Sequence, residues 1–595
     1  MTATTPKPDA PHLANPDLYP SFTKGVFLGD IREDLIFPFP ALDADERETL
    51  AMILDSFRGW AADNVDSAKH DRDGKFPDAV RKGFGDLGMM GVNIPEAYGG
   101  FGASARVFSR VFGEVGETDP ALAVYFGAHQ SIGCKGITLF GTEDQKQRWL
   151  PGCASGETPA GFCLTEPGSG SDAQAMTTVA IPSDDGTHYR LTGTKIWISN
   201  AGYAGVYTVF AKVPVAQPDG GVKQRVTAFI VGAHADGISL GQPEQKMGIK
   251  ASDTRTVTFE NVRVPVEDRL GDVGQGFRFA LEILNSGRLG LAAGSARGAR
   301  RIMHHALVYA KQREQFGKSI GSFEMIQSKL AINAAEVYAA DSAWMLTAGM
   351  VDRGGIDYSL ETAAVKIFAS ELAFRASNDA LQIAGGIGYS KDYPYEQSVR
   401  DSRINLIFEG TNEILRALIA LMALQQPGER LKALGKAFKD PLRSLGAIGS
   451  YVAGRAKRQI TKPSFSMVHD ALAEEADEVA TIIHDLAIGV ERLLLKHGKA
   501  VIERQFLQLR LANAAIDIFM SVAVLSRTTY EIERAGSVEG AAAEIDCARV
   551  FIPAAMRRAR RNIRALRRNQ DKRLSAIAER ALESGSLAPE TPTDR

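Results

Sequence analysis

The chain has 595 residues, too many for one hydrophobic core, so roughly three or four domains are expected. Hydrophobic residues make up 45% and charged residues 24%, the balance of a water-soluble globular protein, and the formal charge of −2 excludes the strongly basic balance of a nucleic-acid binder. Four scattered cysteines (Cys134, Cys153, Cys163, Cys547) offer no CxxC pair and no Cys/His cluster, which argues against structural zinc or a disulfide framework, and no apolar run is long enough to span a bilayer.

Residues 1–42 form a Pro-rich arm in which Phe22, Phe27, Phe37 and Phe39 predict packing onto the body. Met1 to Pro20 lacks both an apolar signal region and an Arg-rich amphipathic pattern, so the expectation is a cytoplasmic protein without a targeting segment. Residues 43–160 read as a helical domain. Asp43, Asp45 and Glu46 place capping carboxylates before Leu50, Ile53, Leu54 and Phe57, which recur at helical spacing.

Within residues 161–275 the period changes to that of strands. Tyr189–Ile198, Val206–Val213, Arg225–Val231 and Thr256–Val264 are rich in β-branched and aromatic residues, predicting a domain of short antiparallel strands. Residues 276–425 return to helical spacing, with Phe277, Ala280, Leu281 and Leu284 first, and read as a helix bundle. Gln425-Gln426-Pro427-Gly428 predicts a break. A basic linker occupies 426–470, and a final helical domain 471–595. The fold class is therefore mostly α with a central β-domain, its elements segregated in blocks rather than alternating.

Several segments carry candidate chemistry. In Phe162-Cys-Leu-Thr-Glu-Pro-Gly-Ser-Gly-Ser-Asp-Ala173, small residues let backbone N–H groups approach an anion, and Thr165 and Ser171 add hydroxyls. Its Gly-Ser-Gly-Ser-Asp-Ala run mimics a dinucleotide fingerprint, but no βαβ unit surrounds it. Trp197-Ile198-Ser199 ends a strand, where an indole either covers a planar ring or fills the core. Arg313 suits a pyrophosphate or plain solvent. Gln382-Ile-Ala-Gly-Gly-Ile-Gly388 reads as a helix C-cap or as a bare terminus open to phosphate or ribose. In Phe408-Glu409-Gly410-Thr411-Asn412-Glu413, Glu409 stands beside an aromatic ring at the entry to an apolar helix. It is either a solvent-facing cap or a desolvated carboxylate whose raised proton affinity suits a general base.

Together and in this order these segments resemble the acyl-CoA dehydrogenase family over nearly the whole chain. The resemblance includes Lys246-Met-Gly-Ile-Lys-Ala-Ser-Asp-Thr254 and Arg313…Phe316-Gly317. The C-terminal extension, Phe126-Gly-Ala-His-Gln-Ser-Ile-Gly133 and Lys391-Asp-Tyr-Pro-Tyr-Glu396 are similar to the very-long-chain branch. The resemblance implies a helical N-domain, a barrel-like middle β-domain, a four-helix bundle and an added C-terminal helical domain.

It also implies FAD as cofactor and dehydrogenation of acyl-CoA thioesters to trans-2-enoyl-CoA in β-oxidation. Glu409 is then the base that takes the α-proton while a hydride passes to the flavin. FAD contacts fall on Phe162, Leu164, Thr165, Ser171, Trp197, Ile198, Ser199, Thr411, Asn412 and Glu413. A neighbouring subunit would supply Arg313, Phe316, Gln382, Gly385 and Gly386, so a homodimer is implied. Ser171, Leu284, Asn285, Arg288, Phe408 and Gly410 fall on the substrate. Some members carry the base on another helix; the matching position here is Gly287, which has no side chain. No metal role is assigned. An electron-transfer flavoprotein is the implied electron acceptor. An acyl-CoA oxidase and an assembly or scaffold protein are the alternatives on the same fold.

Acyl length turns on the segment before His129. If the small Ala123 and Gly127 line the pocket, long chains fit; if Tyr125 points inward, the pocket is shorter. Long chains are favoured. The cations of residues 432–462, interleaved with Leu434, Phe438, Leu442, Leu445 and Tyr451, read as a segment lying on the inner face of an anionic membrane or as a solvated linker. The Arg557, Arg558, Arg560, Arg561, Arg564, Arg567 and Arg568 cluster reads first as a solvated or acid-paired helix face.

Overall fold

The computed structural model of the protein describes residues 20–437 and 462–587. Asp43 caps the first long helix as its spacing predicts. Its carboxylate accepts from the Glu46 N–H at 2.9 Å, and Glu46 reaches back to the Asp43 N–H at 3.2 Å. The labelled helices are α1 (Phe22–Val26), α2 (Ala44–Asn64), α3 (Ala105–Thr118), α4 (Pro120–Gly127), α5 (Gly276–Gln312), α6 (Glu324–Arg353), α7 (Ser359–Ala384), α8 (Asn412–Ala423), α9 (Ala473–His497), α10 (Gln505–Ala535) and α11 (Ala542–Ala565). Asp119 joins α3 to α4 and caps the latter through the N–H groups of Ala121 and Leu122. The chain then makes a π-helical turn over Ala128–Gly133 before entering the sheet.

The middle domain holds β1 (Ala160–Cys163), β2 (Val179–Pro182), β3 (His188–Ser199), β4 (Val206–Ala216), β5 (Val222–Gly232), β6 (Ile238–Leu240), β7 (Thr254–Pro265) and β8 (Arg269–Leu270). They form one sheet in the order β6-β7-β3-β2-β4-β5-β8, with β1 also on β4. The expected antiparallel pattern holds for β3 with β7 and β4 with β5, but β1 and β2 both pair with β4 in parallel. Parallel pairing needs a long connection, and both strands reach β4 from remote segments of chain. The β3–β7 register shifts between Lys195 and Ile198. That bulge contains Trp197.

Helix α5 runs between the N-domain and the bundle formed with α6, α7 and α8. The C-terminal helices α9, α10 and α11 do not build a separate core. Their apolar side chains join those of α5 to α8, and of the arm residues Phe22, Val26, Phe27 and Ile36, in one cluster. Helix α10 is apolar and long enough to cross a membrane by composition, but 83% of its apolar window is buried inside the protein, so it is the core helix of this block. The expected break falls at Leu424, where α8 ends, but the Gln425–Gly428 run itself opens a new helix, Gln425–Ala437. Pro427 lies in its first turn, where a missing N–H costs nothing. Of the expected membrane-contacting segment 432–462, residues 438–461 lie outside the described residues; Lys462 at its end pairs with Asp477.

Candidate active site

After α7 the chain makes a short helix Pro394–Arg403 and a tight turn Ile404–Leu406. It then reaches Phe408, Glu409 and Gly410 before α8. Thr411 caps α8, its hydroxyl accepting from the Ile414 N–H at 3.3 Å. Glu409 has φ 60° and Gly410 φ 90°. A glutamate in the left-handed region carries strain that only surrounding contacts can hold, and such residues cluster at functional sites. Trp197 and Phe316, both singled out from sequence, share this feature with φ 57° each.

The contacts that hold Glu409 come from two buried cations. The Arg288 Nε donates to the Glu409 carbonyl at 3.1 Å, and its Nη1 donates to Asn285 Oδ1 at 2.9 Å. The Lys366 Nζ donates to the Gly410 carbonyl at 2.9 Å and to Asn412 Oδ1 at 2.8 Å. Neither cation bonds the Glu409 carboxylate, whose Oε2 is buried without a hydrogen-bond partner among the described residues. That carboxylate lies directly over Gly287: a Cβ there would stand 2.6 Å from Oε2. Burial pushes the Glu409 carboxyl up to about 7, against the pull of Arg288 and Lys366. The same burial brings Arg288 down to about 10 and Lys366 down to about 7.

Next to Glu409 in the chain, Phe408 opens onto a cavity of about 660 Å³. Phe112, Gly116, Ala123, Leu291 and Gly294 line it as well. Gly287, Leu291, Gly294 and Gly298 recur at intervals of four, three and four along α5, so the face under Glu409 continues as the cavity wall. Ala123 takes the lining position expected of it. Gly127 acts indirectly, since a Cβ there would stand 2.5 Å from the Phe112 ring. Tyr125 is buried in the N-domain core, with ring contacts to Phe76, Phe84 and Tyr203, and leaves the cavity open.

The Phe162–Ala173 loop is shaped by a pair that sequence reasoning missed. Glu166 accepts from Lys195 Nζ at 2.8 Å and from the Thr178 N–H at 3.0 Å, with both side chains of the ion pair buried. Burial opposes its ionisation, but Lys195 and these donors prevail and hold the Glu166 carboxyl down to about 2. Lys195 also donates to the Leu164 carbonyl, and the Ile196 N–H to the Thr165 carbonyl, tying the loop to β3. The only sequence signal was a lysine alternating with apolar residues in a strand. Ser171 is exposed on the loop, and Phe162 is half-buried against Phe210. Trp197 is 63% exposed at its bulge, so the core-filling reading falls away, whereas the Ile198 side chain is buried in the β-domain core. Ser199 is half-buried.

The remaining predicted residues divide in two. Leu284, Phe408, Gly410 and Thr411 are half-buried and Glu413 is exposed. Asn285, Arg288 and Asn412 are buried; Asn285 Oδ1 accepts from Arg288 and Asn412 Oδ1 from Lys366 at the Glu409 turn, whereas Asn285 Nδ2 is buried without a hydrogen-bond partner among the described residues. Arg313, Phe316, Gln382, Gly385 and Gly386 stand apart on the chain surface; Phe316 is 94% exposed on a small hairpin, Glu314–Ser319. Gly385 and Gly386 close α7 at its C-terminal end, with open space where a Cβ would lie.

A buried, unpaired carboxylate with a raised proton affinity, beside an apolar cavity, is equipped to remove a proton from a carbon acid that carries an apolar chain. Family models match in four blocks. Three are the acyl-CoA dehydrogenase N-terminal domain (residues 47–157), middle domain (161–262) and C-terminal domain (274–424). The fourth is the ACAD9/ACADV C-terminal domain (470–587). A mitochondrial very long-chain specific acyl-CoA dehydrogenase of Macaca fascicularis is 42% identical over 519 residues, 86% of this chain and 79% of the relative. A crystal structure of an acyl-CoA dehydrogenase complexed with FAD from Bacillus anthracis superposes with a TM-score of 0.77 at 30% identity, covering 96% of this chain and 95% of that one. Butyryl-CoA dehydrogenase from Megasphaera elsdenii superposes with a TM-score of 0.61 at 34% identity, covering 65% of this chain and all (100%) of that one.

Proposed function

The chain belongs to the acyl-CoA dehydrogenase family, and we propose that Glu409 is its catalytic base and that long acyl chains are its preferred substrates. The protein is an FAD-dependent enzyme that dehydrogenates acyl-CoA thioesters to enoyl-CoA in β-oxidation. Its residues fit the cofactor. Trp197 presents an exposed indole, Gly168 and Gly170 have open space where a Cβ would lie, and Arg313 and Phe316 are exposed for a second subunit. When bound, FAD supplies the hydride acceptor.

The chain itself supplies the proton chemistry. One observation carries the assignment: Oε2 of the half-buried Glu409 is buried without a partner and seated over Gly287, next to a largely apolar cavity lined by the adjoining Phe408. There it takes the α-proton of the thioester. The Glu409 N–H is the chain's donor to the thioester carbonyl, where negative charge develops. Long chains are supported by the α5 face from Leu291 to Ile302, which lines the cavity along a twelve-residue stretch, a rise of about 16 Å at 1.5 Å per residue. Glu409→Gln tests the base. Yellow protein with full flavin and no turnover is the expected result; substantial turnover would remove Glu409 from the mechanism.

The other proposals concern the setting. A homodimer is supported by the exposed left-handed Phe316 and its neighbours. An electron-transfer flavoprotein is the proposed acceptor, and peroxide release in its place would mark an oxidase. We place the protein in the cytoplasm, peripheral to the inner face of the membrane through 432–462. Co-sedimentation with anionic vesicles tests that contact, and absence of binding would remove it.

A further inference from the structure

Lys366 is fully buried in α7, yet no carboxylate of the described residues lies within ion-pair distance of it. Burying an ammonium costs several kcal/mol unless its surroundings answer it, so a buried lysine in an Ala-rich helix calls for a reason. Its two acceptors are the Gly410 carbonyl and Asn412 Oδ1, which bracket the turn that carries Glu409. Arg288, from α5, takes the adjoining Glu409 carbonyl. Two cations from two helices thus hold consecutive carbonyls of one left-handed turn and leave its carboxylate alone.

Among the described residues the charged neighbours of this turn are Glu371, Glu413, Arg416 and Arg288. On α7, Glu371 is paired with Arg416 of α8 at 2.8 Å and also accepts from Asn412. Glu413, at the start of α8, is exposed and screened by water. On α5, the Arg288 guanidinium bonds Asn285 and the Glu409 carbonyl. The carboxylate left to face the Lys366 charge from within the protein is therefore that of Glu409.

We propose that Lys366 is a positioning residue of the dehydrogenation: its ammonium clamps the Glu409–Gly410 turn, keeps the carboxylate seated over Gly287, and favours its ionised form without bonding to it. The inference rests on Glu409 being the base. A direct lysine–carboxylate bond would hold the base ionised but too weakly basic. A neutral residue would hold the turn without favouring ionisation.

Lys366→Met, Lys366→Gln and Lys366→Arg in the flavin-loaded enzyme separate these roles. Met and Gln variants should retain bound flavin, shown by visible absorbance. They should lose about 10–100-fold in kcat, the scale of a misplaced catalytic group. The acid limb of their kcat–pH profile should also move upward by about 0.5–1 unit, because a cation near the base is gone. The Arg variant should restore the limb, though not the full rate, since its fork differs in shape. A merely structural lysine would lower the rate or flavin content without moving the limb. An unmoved limb in folded, flavin-bound Met or Gln protein overturns the proposal, and the Gln variant, which keeps a donor for the Gly410 carbonyl, answers if Met does not fold. Glu409→Gln runs alongside: turnover in that variant rejects the base, whereas an inactive Glu409→Gln with an unmoved limb in the lysine variants rejects Lys366 alone.

Discussion

At the scale of single residues the central fact is how Glu409 and Gly287 share one space. A Cβ at 287 would stand 2.6–2.9 Å from the Glu409 carboxylate atoms. Gly287→Ala should therefore displace the proposed base and cut kcat by about 100-fold with flavin still bound, read by single-turnover flavin reduction. Unchanged reduction would show that the carboxylate is not where its function requires it. Proton linkage gives a second residue-scale test. Because the folded-state carboxyl is raised to about 7, its contribution to stability is fully present below the unfolded value and is lost as pH rises through 7. Glu409→Gln should thus gain stability relative to the parent at pH 8, by on the order of 2–3 kcal/mol, and gain little at pH 4. Paired thermal melts at the two pH values measure it, and equal differences at both would contradict a buried, reluctant base. Glu409 stands out in the sequence through the ordered set of segments that resemble the family, since Phe408 and Gly410 beside it leave a helix cap and a desolvated carboxylate equally open. Lys366 does not, since the burial of a lysine depends on what packs over it. Asn285 and Asn412 are named by the resemblance as substrate and FAD residues, but their neighbours in sequence say nothing of the turn they support.

At the scale of elements, strands were easier to foresee than their partners. The β-branched runs marked β3, β4, β5 and β7 to within a few residues, because that composition suits a pleated, half-buried surface. The parallel pairing of β1 and β2 with β4 was hidden, since pairing is a long-range property. So was the bulge at Trp197, which turns an indole outward from a strand whose other members are core. Lys195, just before it, holds the Gly-rich loop through Glu166. Lys195→Met would leave that carboxylate buried and unpaired, a loss of about 3–5 kcal/mol. A markedly lower melting temperature and weakened flavin retention are expected together. Normal retention in a stable variant would mean that the loop holds its shape without the pair.

At the scale of the whole molecule, the sequence blocks read as separate domains, but the apolar faces of the bundle, the C-terminal helices and the N-terminal arm merge. Periodicity shows that a helix has an apolar face, not which other helix covers it. The N-terminal arm makes the join explicit: Phe22 meets Phe519 of α10, the Ser526 hydroxyl donates to the Ile36 carbonyl, and Ser21 and Thr23 donate to the buried Glu361 of α7. Lys24 pairs with Asp357 at 2.6 Å, both buried. Lys24→Met should destabilise the bundle and the C-terminal helices in a single transition by about 3–5 kcal/mol, seen by calorimetry. Two separated transitions would show that the blocks fold independently. The Arg cluster of α11 is partly acid-paired, through Arg558 with Asp517 and Arg560 with Glu478.

The most direct test of the whole account is anaerobic titration of the flavin-loaded protein with saturated acyl-CoAs of increasing length, followed by flavin absorbance. Bleaching should strengthen toward long chains in the parent protein and be absent in Glu409→Gln. Bleaching of the Glu409→Gln variant, or an optimum at the shortest chains, would contradict it.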